Sequence, residues 1–482
     1  MRAKSLIIAA LLLNASPLAA YAGTTQADAD KLKTTLQAYF GNGTDAVKIA
    51  PEGDGYKLTL DLSGIAKAMQ SKDTQASAES LDFTLTPTGN GKWKVHHEGP
   101  LSLSVKSKGL IEFSEKFESL TVDGEYDEAL ASFTTLTSNA KNISAKEVMT
   151  DDKGMKINAD VTYDSFDSSL NGVAGANGGV DLKFTTKLGK AQLTEDIAKE
   201  GEPPLHLVIN ADGGTMDGSS TGTKTAAVLQ LIKFLNAHAS KEALGKDQVD
   251  FKAGLANLMP LFNTLAAKGE VGKTSVQTPM GLFGVDKISV SMELNGAVKD
   301  GKFAEGLSFE GLSMPTELVP PWAASLVTKN ASIAFAVTGY DLETALKAEL
   351  AAADFTKDPP VSPEIDKQFA ALLLPKGMVN VVMSNTMISN DTYKVTIDGS
   401  IDIGPDAKPS GKAHVTAKGL DDVMKTMQAA PPEAGLQGGA AVVVVAKGMG
   451  KAESDGSMSW DVEATPDGKI TVNGIDVSKM AK

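Results

Sequence analysis

An α+β protein built on a large, mostly antiparallel, twisted β-sheet is the fold class this sequence predicts, and three observations predict it. Apolar and polar residues alternate with period two over much of the chain. Asp-Gly and Asn-Gly pairs, which best tolerate the positive φ angles of two-residue hairpin turns, bound many of those runs. Blocks with helical spacing interrupt them at two points. Aromatics make up only 5% of the 482 residues while glycines number 46, so the strands must be filled by Val, Leu, Ile, Ala and Thr and broken by many tight turns. Meanders and hairpins are expected, with two inserted amphipathic helical pairs packed on the sheet or capping it.

Taken in order, Arg2 and Lys4, the apolar run Leu6 to Leu13, and Ala20-Tyr21-Ala22 before Gly23 have the three-part form of a cleaved secretory signal, residues 1–22. The β-rich half 23–200 opens with a helix over Ala27 to Phe40, where Leu32, Leu36 and Tyr39 share one face before Gly41-Asn42-Gly43 stops it. Strands follow at Tyr56 to Leu62, Leu101 to Val105 and around Leu120-Thr121-Val122, which ends at Asp123-Gly124. The insertion 201–272 holds a strand and then a helical block from Thr223 to Leu265. Val228, Leu231, Ile232 and Leu235 form one stripe of that block, and Phe251, Leu255, Leu258, Met259, Phe262 and Leu265 another, with Gly245 in the turn and a kink at Pro260. Residues 273–340 form a meander that includes Ile288 to Leu294 and the turns Asn295-Gly296 and Asp300-Gly301. A second helical pair, Asp341 to Ala353 and Pro363 to Leu374, fills 341–376. The C-terminal region 377–482 is β-rich again, from Tyr393 to Ile397 through Met458, Trp460 and Val462 to Ile470-Thr471-Val472. Tyr56 to Asp61 and Tyr393 to Asp398 look alike, as duplicated halves would.

Composition narrows the function classes. The chain has no cysteine and a formal net charge of −14, with its lysines scattered singly, so nucleic acid and anionic lipid headgroups are poor electrostatic partners. An exported protein of this size without disulfides points to a Gram-negative periplasm. After the leader, the most apolar stretch, Ala440 to Ala446, is only strand-length, far short of the roughly 18 to 20 residues that cross a bilayer. The expectation is release without a transmembrane segment.

Chemistry-bearing motifs are sparse. Of the five histidines only His96 and His97 are close in sequence, and on a strand adjacent residues point to opposite faces, so no metal site is expected. Gly218-Ser219-Ser220-Thr221-Gly222 satisfies the form of a nucleophile elbow with Ser220 at its centre, but a loop of about seven residues is expected before it, where the elbow needs a sharp strand-to-helix turn. Asp212 to Gly218 lacks the carboxylate that a calcium loop needs twelve positions along, since Thr223 stands there. Gly272-Lys273-Thr274 lacks the first glycine of a phosphate-binding loop, with Ala267 in its place. No catalytic residue and no cofactor is expected. The apolar stripe is the feature most open to function: it is either plain core or one wall of a hydrophobic groove, and Leu255, Leu258, Met259 and Phe262, with Trp322, are the ligand-groove candidates.

Several turns carry a family resemblance. They are Leu318-Val319-Pro320-Pro321-Trp322 leading to Ile333 to Val337, Gly339-Tyr340-Asp341-Leu342, Pro409-Ser410-Gly411, Gly419-Leu420-Asp421, and the ending Asp467 to Ile475. With them the chain resembles a periplasmic family catalogued as domain of unknown function 2125 and, more distantly, the AsmA-type and YdgA-type envelope proteins. The resemblance implies an open sheet with an apolar inner face and brings no catalytic residues. The chain departs from the AsmA type in having no membrane anchor. The expected role is an exported, non-enzymatic protein that binds a lipid or other apolar ligand in a groove of sheet and helix. Its rivals are an envelope assembly protein offering sheet edges to protein partners, and a serine hydrolase using Ser220.

Overall fold

Long period-two runs leave each strand with one apolar and one polar face, and antiparallel pairing lines those faces up across a sheet. The computed structural model describes residues 24–40, 46–62, 74–107, 111–151, 154–199, 201–238 and 240–478, so residues 1–22, expected from sequence to be a secretory signal, lie outside the described residues. The fold is α+β with a mostly antiparallel sheet, as the alternation implies. The chain divides into two compact units, Met1–Leu265 with Leu346–Asp366, and Ala266–Ala345 with Lys367–Lys482.

In the first unit, helix α1 (Gln26–Gln37) is followed by strands β1 (Val47–Glu52), β2 (Gly55–Leu60), β3 (Thr74–Ala78) and β4 (Leu81–Gly89). Four long strands then form the middle of the sheet: β5 (Lys92–Ser107), β6 (Ile111–Asp127), β7 (Ser132–Thr150) and β8 (Lys156–Ala174). Strands β9 (Val180–Leu188), β10 (Ala191–Ala198), β11 (Leu205–Ala211) and β12 (Gly214–Thr223) complete it. The long strands have 16 to 19 residues, or roughly 50–60 Å of extended chain, well beyond the usual strand. Their flanks are therefore met by shorter strands placed end to end. One end of β5 pairs with β4 and the other with β3, while one end of β8 pairs with β10 and the other with β9.

A line of irregularity crosses the long strands near their middle. The β5–β6 register shifts between Gly99 and Leu101. On β7, Asn142 has φ 51°, and its Nδ2 donates to Glu118 Oε2 of β6 at 2.8 Å. Along β6, β7 and β8 the inward side chains change phase at this line. Ile111, Phe113, Glu115 and Phe117 give way to Leu120, Val122 and Tyr126; Leu136 and Ala140 give way to Ile143, Ala145 and Met149; and Ile157, Ala159, Val161 and Tyr163 give way to Phe166 and Leu170. An extra residue in a strand turns every later side chain to the other face, and the apolar pattern shifts with it, so one face stays apolar throughout.

On one side of that line lies the buried core. Thr25 caps α1 by accepting from the Asp28 N–H at 3.2 Å, and the helix buries Ala29, Leu32 and Leu36 against Tyr56, Leu58, Phe83, Leu85, Trp93, Tyr126 and Phe133. Tyr126 and Phe133 meet edge to face at 5.4 Å, and Trp93 Nε1 donates to Glu128 Oε1 at 2.7 Å. Helices α2 (Thr225–Ala237), α3 (Lys241–Lys246) and α4 (Gln248–Asn257) join the same end of the unit. Leu229 packs with Tyr39 and Ala131, Asn236 Nδ2 donates to the Tyr39 carbonyl, and Thr225 Oγ1 donates to that of Leu130.

The helical reading through Leu265 is corrected here. The helix ends at Asn257, residues 258–263 form a connection, and a strand begins at Thr264. Pro260 has no N–H to give a helix, and the residue before a proline is pushed out of helical geometry. The seven-residue loop expected before Ser220 is likewise a tight turn at Asp212-Gly213, where Gly213 takes φ 100°, and Ser220 lies within β12.

Strand β13 (Thr264–Val271) crosses the division at Leu265, and β14 (Thr274–Thr278) and β15 (Gly281–Val285) follow it in the second unit. A meander follows: β16 (Lys287–Asn295), β17 (Gly301–Glu310), β18 (Asn330–Tyr340), β19 (Val379–Ser389), β20 (Lys394–Ile403) and β21 (Ser410–Lys418), each antiparallel to the next. The pair α5 (Leu342–Ala352) and α6 (Pro363–Leu373) falls where the spacing places it, between β18 and β19, and the boundary between units runs through both helices. A further pair, α7 (Leu420–Ala429) and α8 (Gln437–Met449), precedes the short β22 (Lys451–Ala452), then β23 (Met458–Ala464), β24 (Ile470–Val472) and β25 (Ile475–Asp476). The run Ala440 to Ala446, strand-length and valine-rich, is therefore helical. Its helix is tied down from outside, by Lys447 to Asp421 and by Trp460 Nε1 donating to the Ala446 carbonyl at 2.8 Å, so tertiary contacts override β-propensity.

Candidate functional site

Beyond the irregular line, the inner face of the first unit is apolar but not closed. Antiparallel register sets its residues in rows. One row runs Leu103, Glu115, Ala145, Val161, Leu193, Ile209 across β5, β6, β7, β8, β10 and β11. The next runs Val105, Phe113, Glu147, Ala159, Glu195, Leu207, and the last Ser107, Ile111, Met149, Ile157, Ile197, Leu205. Six strands at about 4.8 Å spacing make this face roughly 24 Å across. Almost all of these side chains are half-buried, and none belongs to the two buried hydrophobic clusters among the described residues. A sheet face of aliphatic side chains, shielded in part but joined to no core, can accept hydrocarbon.

The outer face of the same strands is ordinary. Its polar groups pair across strands: Lys146 with Asp160 at 3.0 Å, Lys106 with Glu112, and His206 hydrogen-bonded to Asp196 at 2.7 Å. On the inner face Glu115, Glu147 and Glu195 stand among the apolar rows, and no lysine or arginine occupies any position of those rows. Burial pushes the Glu115 carboxyl above the usual carboxylate range.

The groove candidates read from sequence lie elsewhere. Leu255 is on α4, and Leu258, Met259 and Phe262 are in the connection after it. That connection has a structural explanation, because Lys224 Nζ donates to the carbonyls of Asn257 at 2.9 Å and Met259 at 3.3 Å and so closes the end of α4. Trp322 sits in a short 3₁₀ turn, Pro321–Leu326, of the second unit, so the structure does not gather the five residues into one wall within either unit. The rows of the open face lie on strands and not on the amphipathic helical stripe, so helical spacing does not reveal them. Their signal is the phase change along β6, β7 and β8.

The remaining chemistry-bearing residues have structural partners. The Ser220 hydroxyl shares a 2.7 Å hydrogen bond with Thr223 Oγ1, while the five histidines bond to Asp123, to the Asp82 carbonyl, to Asp196, to Phe234 and Asp247, and to Asp461. No histidine thus reaches Ser220, and the nucleophile geometry is absent. His97 is buried with Nδ1 on the Asp82 carbonyl at 2.7 Å and its ring 5.1 Å from that of Phe83, standing where β5 turns from β4 toward β3. Among the described residues no three His, Cys, Asp or Glu side chains converge to hold a metal. No helix among the described residues is long and apolar enough to cross a membrane.

Comparison with known proteins finds no matching family model, no matching curated protein and no matching solved structure.

Proposed function

We propose that this chain is an exported, non-enzymatic binding protein that holds a lipid or similar hydrocarbon ligand on the inner face of its first unit, in the periplasm. The open half of the sheet carries this reading, with three mainly aliphatic and mainly half-buried rows over six strands that join no buried cluster among the described residues. The lack of cysteine and the form of residues 1–22 support the compartment, and the resemblance to envelope proteins with open apolar sheets supports the ligand class. The test is mass spectrometry of organic extracts from chain purified without detergent, beside a Val161→Asp variant, which puts a charge in the middle row. The native chain is expected to carry a lipid in near-stoichiometric amount and the variant to lose it while remaining folded. A native chain free of lipid overturns the reading.

An assembly role is the second reading, and one observation favours it. In the second unit Val290, Leu307 and Ile333 are cross-strand neighbours on β16, β17 and β18, exposed by 50%, 50% and 46%. Strand addition at β1 is less supported, because that strand, which pairs with β2, bears Pro51 and the ion-paired Lys48 and so is blunted as an edge. Under this reading Leu307→Asp abolishes capture of envelope proteins and leaves bound lipid unchanged.

A further inference from the structure

We propose that the ligand of the open face is an uncharged amphiphile with a hydroxyl headgroup, and that this hydroxyl donates to Nε2 of His97 at the seam between the closed core and the apolar rows. This rests on the groove reading above and adds the chemistry of the headgroup. His97 is only 4% exposed, and its Nε2 has no hydrogen-bond partner among the described residues. Nearly all buried polar atoms of folded chains are bonded, so such an atom calls for an explanation. Nδ1 of the same ring lies 2.7 Å from the Asp82 carbonyl oxygen. That oxygen can only accept, so Nδ1 carries the proton, and in the neutral ring Nε2 is left as a bare acceptor.

The strand turns this acceptor toward the open face. Along β5 the inner face runs from His97 through Gly99 and Leu101 to Leu103, the first residue of the apolar rows. Gly99 brings no side chain, and a Cβ there would stand 3.6 Å from Cε1 and 4.0 Å from Nε2, so the ring edge bearing Nε2 leans over this position. From Gly99 to Leu103 is roughly 13 Å of strand, which a medium-length alkyl chain covers. The surroundings select the headgroup. Val95 and Leu101 lie to either side along β5, Val122 and Leu120 stand opposite His97 and Gly99 on β6, and the Phe83 ring is 5.1 Å away. A buried water needs two to four polar partners, and none of these side chains offers one. A carboxylate, ester or ether has no proton to give, and an ammonium would bury a charge with a single acceptor to meet it. A hydroxyl brings one donor and no charge, and the rows receive its hydrocarbon.

The test measures binding of decanol and of its isomer nonyl methyl ether, which has no donor, to the full chain at neutral pH, by displacement of a fluorescent hydrocarbon probe. The native chain is expected to prefer the alcohol by about tenfold, the effect of one buried hydrogen bond. Equal affinity, or a preference for the ether, overturns the hydroxyl assignment whether or not any variant folds. In His97→Phe, and in Gly99→Ala, whose methyl takes the place beside Nε2, the preference should fall toward one while the ether still binds. A preference that survives in His97→Phe overturns the assignment, and should that variant not fold, survival in Gly99→Ala does so. Nitrogen NMR reads the contact directly: the Nε2 resonance of His97 is expected to move when decanol is added and to stay when the ether is. A resonance that decanol leaves unmoved overturns the contact. Failure of the native chain to bind either compound overturns the groove reading itself, so the two failures are distinct.

Discussion

The two halves of the long strands β5 to β8 share the same backbone pairing and differ in what meets their inner face. At one end, α1 and the aromatic side chains of Tyr56, Trp93, Tyr126 and Phe133 close a core in which Phe133 and Tyr56 have no exposed surface. At the other, the rows from Leu103 to Ile209 and from Ile111 to Leu205 are half-buried and end in no cluster. Side-chain size accounts for much of this. The closed end is packed with rings and a helix, while the open end is mostly Val, Leu, Ile and Ala, which tile a sheet without filling the space above it. Stability and ligand capacity are thus assigned to different stretches of the same strands, joined by the line at Gly99, Glu118 and Asn142.

The sharpest way to break this contrast is to make one truncation in each half of the sheet. Phe133→Ala removes a fully buried ring and is expected to cost about 3–5 kcal/mol, whereas Phe113→Ala on the open face, already part exposed, should cost about 1 kcal/mol or less. Denaturant unfolding of the two variants checks it, and comparable losses would mean that the open face is in fact core. A second, smaller test uses glycines. A Cβ at Gly124 would lie 2.9 Å from the Phe133 ring and from the Thr135 carbonyl oxygen, so Gly124→Ala should overpack the closed half by about 1–3 kcal/mol. At Gly99 the nearest atom would be His97 Cε1 at an ordinary 3.6 Å, and Gly99→Ala should change stability by only about 0.5 kcal/mol in either direction. A thermal melt of each variant separates the two cases.

These contrasts also show how far the fold was legible. The alternation announces antiparallel strands because its period is that of the strand itself, and α1, α5 and α6 announce themselves because their apolar residues recur at helical spacing. One reading failed, and one helix went unread, for reasons that local pattern cannot express. The stripe Phe251 to Leu265 keeps helical spacing across a break that Pro260 imposes, and the valines of α8 are held helical by contacts from Trp460 and Asp421. The open face had a signal of its own, the shift from Ile111-Phe113-Glu115-Phe117 to Leu120-Val122. Its meaning depends on the neighbouring strands shifting together, which pairing reveals and a single strand does not.

The smallest expected effect comes from Glu115, and it bears on the same contrast through pH. Burial holds its carboxyl above the ordinary value of 4.5. Glu128, in the closed half, is also raised by burial, but there Trp93 Nε1 donates to the carboxyl and lowers it in part. A carboxyl whose folded pKa lies above its unfolded value takes up a proton on folding. Its ionised form therefore destabilises the fold at neutral pH, and that penalty fades as pH falls through the raised value toward the unfolded one. Glu115→Gln removes the ionisation and should stabilise the ligand-free chain at neutral pH by less than the glycine overpacking costs. Its advantage over the native chain should then shrink steadily as the pH is lowered to about 4.5. Unfolding of both chains across that range checks the sign. An advantage that is the same at both ends of the range would mean that burial does not hold the Glu115 carboxyl raised in the folded chain.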